Sequence, residues 1–66
     1  MSNFSVPQLI ASSAGLNASG QTIFRQCQEL ANMSSTSEEF QQKKVEIITS
    51  VNEAQTFVEA LRNAIG

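Results

Sequence analysis

From Ile47 to Ile65 the apolar residues Ile47, Val51, Ala54, Val58, Leu61 and Ile65 follow one another at spacings of 4, 3, 4, 3 and 4. A helix gathers such a series onto one side, because positions three and four apart share a face. The alternation averages 3.5 residues, the period of a seam that packs against another helix. In heptad terms Val51, Val58 and Ile65 occupy one seam row and Ile47, Ala54 and Leu61 the other. Phe40 extends the second row backward, with Lys44 in the row between. The opposite row, Gln42, Thr49, Thr56 and Asn63, is wholly polar. Ile48 and Phe57 flank the seam and widen the apolar stripe, as in a helix that touches more than one neighbour.

The first half of the chain carries a different heptad. Leu9, Leu16, Ile23 and Leu30 recur every seven residues, and Ser13, Gly20 and Cys27 stand four residues after the first three. One expected row is therefore large and the other small, so that Gly20 and Cys27 would let the helices approach closely. Ile10, Phe24 and Ala31 form a further row, and Ala11, Gly15 and Ser19 another small one. The stretch SSAGLNASG, residues 12–20, consists mostly of weak helix formers, and each of its two glycines costs about 1 kcal/mol relative to Ala in a helix interior. All ten charged side chains lie from Arg25 onward. The outer face of a solvated helix ordinarily carries charge, so an uncharged first half points to cover by a neighbour.

Capping signals set the boundaries. Ser5 can cap the first helix, with Gln8 three residues on and Pro7 in the first turn, where its missing N–H costs little. Phe4 and Leu9 are spaced as a hydrophobic staple across that cap. Ser35 with Glu38, or Thr36 with Glu39, makes a capping box for the second helix, whose positive end the acids favour. Asn32 tolerates the left-handed conformation that ends many helices. These signals predict a helix over about 6–31, a turn over 32–35 and a helix over 36–65, in one domain spanning 1–66. So short a turn makes antiparallel neighbours. The expected fold is all-α: an antiparallel two-helix hairpin with a heptad-like seam, completed by self-association or by a partner helix.

Composition narrows the function. A chain of 66 residues buries roughly 60% of its unfolded surface, and domains of this size commonly need disulfides, a metal or a partner. Cys27 is the single cysteine, which excludes an internal disulfide. With no His, no Asp and one Cys, an ordinary zinc site cannot be assembled, no base stands ready to activate the thiol, and no cofactor motif is present. The reading is non-enzymatic, without a small-molecule substrate. Four basic residues against six acidic ones leave no electrostatic footprint for nucleic acid. The N-terminus shows no signal-peptide pattern and no apolar run reaches bilayer length, so the chain is expected to be cytoplasmic at synthesis. Onward export without a signal peptide, or incorporation into a virion, fits that expectation. A membrane-surface helix is disfavoured, because such helices carry Lys or Arg on the polar face and the first half has neither before Arg25.

The polar turn NMSSTSEE and the seam ending in VEALRNAIG give the chain a recognisable outline. In size and plan it resembles the small helical hairpins of type III secretion, the needle subunits and their co-chaperones. The resemblance is architectural: the needle subunits' proline-bearing turn is absent and no functional residue carries over. It implies a hairpin that works by packing.

The expected seam comprises Leu9, Leu16, Gly20, Ile23, Cys27 and Leu30 on the first helix, with Phe40, Ile47, Val51, Ala54, Val58, Leu61 and Ile65 on the second. Phe4, Ile10, Gly15, Phe24, Ile48 and Phe57 are expected to face a partner, either another copy or a different helical protein. The leading expectation is a self-assembling structural subunit, such as a filament, needle-like or virion component. The alternatives are a helical co-chaperone or adaptor of a secretion system, and a small phage or mobile-element inhibitor of a larger target.

Overall fold

The structure, a computed structural model, describes residues 4–66. Two helices, α1 (Val6–Ala31) and α2 (Glu38–Ile65), pack against each other as an antiparallel hairpin measuring 53 × 14 × 11 Å. The weak helix formers of residues 12–20 lie inside an unbroken α1. Tertiary packing overrides their low propensity: Ser12 and Ser19 are the buried residues of α1, at 4% and 9% exposure.

The start of α1 follows its signals. Ser5 is extended, at φ −136° and ψ 113°, and its Oγ accepts from the Gln8 N–H. Pro7 occupies the first turn. The same segment closes the open end of the hairpin. The Ser5 N–H donates to the Ala64 carbonyl at 3.0 Å, and Gln8 Nε2 donates to the Ala60 carbonyl at 3.5 Å. Two carbonyls of the last turns of α2 thus gain donors from outside their helix. The positive end of one helix dipole also lies beside the negative end of the other.

The turn differs from expectation at both sides. Asn32 caps α1 at φ −98° and ψ 2°, outside the left-handed region, with its Nδ2 donating to the Gln28 carbonyl. The helix α2 begins at Glu38 rather than 36, and its cap is Ser37 rather than Ser35 or Thr36. Ser37 Oγ donates to the Ser34 carbonyl at 2.9 Å and accepts from the Phe40 N–H at 3.1 Å. Ser34 Oγ and Thr36 Oγ1 share a further bond at 3.0 Å. These local side-chain bonds hold residues 34–37 as a turn, in competition with helix. Glu38 and Glu39 remain in the first turn of α2, where the dipole favours them.

The core is thin. Among the described residues Ala64 is the one buried apolar side chain, and no large side chain is fully buried. Leu9, Leu16, Ile23 and Leu30 face Phe40, Ile47, Ala54 and Leu61 as half-buried rows. Each helix has a single neighbour, so most seam residues keep an edge in water.

Candidate interaction surface

The seam takes one expected row from each helix and replaces the other. In α1 the second row is Ser12, Ser19 and Gln26, three residues after the leucine–isoleucine row. Ser13, Gly20 and Cys27, four residues after it, are exposed. A Cβ built on Gly20 meets nothing within 4 Å. In α2 the second row is Lys43, Ser50, Phe57 and Ala64. Val51 and Ile65, placed in the seam by sequence, are exposed, and Val58 is half-buried. Gly20, Cys27, Val51 and Ile65 are therefore not seam residues. Both corrections have the same sense: each helix is rotated so that the row at plus three, not plus four, faces its neighbour.

Close packing explains the rotation. Gly15 and Phe57 meet inside the hairpin instead of facing a partner. A Cβ on Gly15 would lie 2.7 Å from Phe57 Cζ and closer still to Cδ1 and Cε1. The ring lies against the bare backbone of α1, and Ser12 and Ser19 keep that side of α1 small. Phe4, Ile10, Phe24 and Ile48 are exposed, as a partner-facing assignment requires. Val6 and Val45, which sequence reasoning passed over, are exposed as well. The missed seam rows did carry a signal: Ser5, Ser12, Ser19, Gln26 and Met33 recur every seven residues, but polarity masked the repeat.

The two flanks of the hairpin differ sharply. Glu29 pairs with Lys43 at 3.5 Å, and Lys43 also reaches Glu46 at 3.6 Å. The Lys43 side chain is only 14% exposed, with its stem in the seam and its ammonium at the edge. Its partners are thus Glu29 on the facing helix and Glu46 on its own. Beside this cluster an open hollow of about 160 Å³ is lined by Gly15, Ala18, Ser19, Thr22, Ser50, Glu53 and Phe57. Gly15, Thr22 and Glu29 of α1 therefore share a flank with Glu46 and Glu53 of α2. It is polar and acidic.

The opposite flank follows from helix geometry. Val51, Val58 and Ile65 lie about 160° around α2 from the row of Glu46 and Glu53, and Ser13, Gly20 and Cys27 lie likewise around α1 from the row of Gly15 and Thr22. The contacts of Ser5 with Ala64 and of Glu29 with Lys43 fix the register. They put Val6 level with Ile65, Ser13 with Val58, Gly20 with Val51, and Cys27 with Lys44. Ile10 and Phe24 border this flank on α1 and Ile48 borders it on α2, exposed by 62%, 66% and 60%. None of the six glutamates lies on it. Lys44 is the one charge in its two central rows, and its Nζ stands 5.7 Å from the Phe40 ring centroid.

Among the described residues no cluster of three or more His, Cys, Asp or Glu side chains stands together. Among the same residues no helix is long and apolar enough to cross a membrane. Comparison with known protein families, curated proteins and solved structures finds no match. The likeness to secretion-system hairpins accordingly rests on size and plan alone.

Proposed function

We propose that the chain is a non-enzymatic helical interaction module that assembles with copies of itself, as a structural subunit of a larger particle or filament. The observation that carries this reading is the apolar flank beside a seam that buries almost nothing completely. Ile10, Phe24, Ile48, Val51 and Ile65 are all exposed along or beside that flank. Contiguous apolar patches of this kind on small domains mark interaction sites. At 66 residues the hairpin also sits where folding alone is marginal, so association and folding support each other.

The test is mass by light scattering across a concentration series, with helicity recorded on the same samples. Mass above the 7.2 kDa chain and helicity rising together are the expected result. Phe24→Asp and Ile48→Asp then lower both. A helical single chain at every concentration, unchanged by either substitution, would overturn self-assembly. A poorly helical single chain that folds only on adding a second protein would move the reading to an adaptor.

A further inference from the structure

We infer that the assembling unit is a pair of hairpins joined apolar flank to apolar flank, with a twofold axis parallel to the helices. The Val51–Val58–Ile65 ridge of each copy then lies along the row of small residues on α1 of the other. This rests on the self-assembly proposed above and names the occupant of the flank.

Register carries the argument. Both rows step by seven residues, so ridge and groove share one repeat along the axis. A twofold axis parallel to the helices keeps each level fixed and places α1 of one copy opposite α2 of the other. Val51 then meets the partner's Gly20, and Val58 meets the partner's Ser13. Bulky side chains fall on small ones at both central levels. An axis crossing the helices would instead set bulky Val51 on bulky Val58, and Gly20 on Ser13. The parallel axis also makes every neighbouring helix antiparallel, as in up-down-up-down bundles, so neighbouring dipoles oppose favourably.

Three further observations select a second copy. The space above Gly20 is open, so the hairpin's own chain does not close the groove. The flank runs lengthwise along a hairpin 53 Å long, so a second copy of the same length can cover it from end to end. A twofold interface also has to be complementary to itself, and this flank has no glutamate to repel its copy. Its central charge, Lys44, would stand diagonally across one end of the bundle from its equivalent. That single cation gives a strongly acidic or basic partner little to recognise.

The experiment is sedimentation equilibrium on the full chain and on Gly20→Leu, Val51→Ala and the double variant, with helicity measured at each concentration. The wild type is expected at twice 7.2 kDa. Gly20→Leu enters open space in the single hairpin, so it keeps helicity at dilution while raising the dissociation constant at least about tenfold. Val51→Ala alone weakens the pair. Combined with Gly20→Leu it returns the constant to within about threefold of the wild type, since the larger residue has only moved across the interface. A Gly20→Leu chain that pairs as well as wild type overturns the inference. Open-ended growth overturns the closed pair and leaves self-assembly standing. A single chain throughout overturns both, and a single chain that turns helical only on anionic vesicles transfers the flank to a membrane surface.

Discussion

The two flanks of this hairpin are built from the same heptads and do opposite things. On the polar flank, Phe57 closes over Gly15 and Lys43 bridges Glu29 and Glu46, so side chains from both helices interlock. On the apolar flank, Val51 and Ile65 are exposed, and Gly20, level with Val51, is open. The polar flank therefore fixes how the helices sit on each other, and the apolar flank is what that arrangement leaves over. Hydrophobicity alone predicts the reverse. Shape decides, because a ring on a glycine lets backbones approach, whereas a row of valines holds them apart.

That contrast breaks first at Phe57. Truncation to Ala removes the ring from the polar flank and leaves the space above Gly15 empty. Phe57 is half-buried, so the loss falls at or below the lower end of the range for core phenylalanines, about 2–3 kcal/mol. Urea unfolding of dilute protein should show it, and the loss should not change with protein concentration. Phe24→Ala, on the other flank, should leave dilute stability within about 0.5 kcal/mol of wild type and act only on association. Equal losses from both would erase the distinction.

Next in size is Gly15→Ala. In an open helix the exchange stabilises by up to about 1 kcal/mol. Here the new methyl collides with the Phe57 ring, and overpacking costs about 1–3 kcal/mol. The sign should therefore be unfavourable at Gly15. Gly20→Ala, in dilute protein, should be favourable because nothing stands near it. Thermal melts of the two variants side by side read the difference directly.

Much of this fold was legible in the sequence. The heptad of Leu9, Leu16, Ile23 and Leu30 and that of Phe40, Ile47, Ala54 and Leu61 both face the seam, and Ser5 caps α1 with Gln8 as expected. The companion rows were not legible. At plus four in α2 stand Val51, Val58 and Ile65; at plus three stand Lys43, Ser50, Phe57 and Ala64. A reading by polarity selects the first set, and the close approach at Gly15 selects the second. The start of α2 was missed by two residues for a local reason, since Ser34, Thr36 and Ser37 satisfy one another in a turn. Of the surface, Ile10, Phe24 and Ile48 were legible as outward residues. The reassignment of Gly20, Val51 and Ile65 to the same flank needed the observed rotation.

The smallest expected effect lies at the boundary between the flanks. Gln26 continues the seam row of Ser12 and Ser19, and its Oε1 is buried without a hydrogen-bond partner. A buried acceptor left unpaired costs about 1–3 kcal/mol, and less for a side chain that retains partial exposure. Gln26→Met keeps the length and flexibility of the side chain and removes the orphaned oxygen. It should raise the stability of dilute protein by about 1 kcal/mol, seen as a higher urea midpoint with an unchanged slope. A gain that appears only at high protein concentration would place Gln26 on the association surface instead, and the line between the two flanks would have to be redrawn through it.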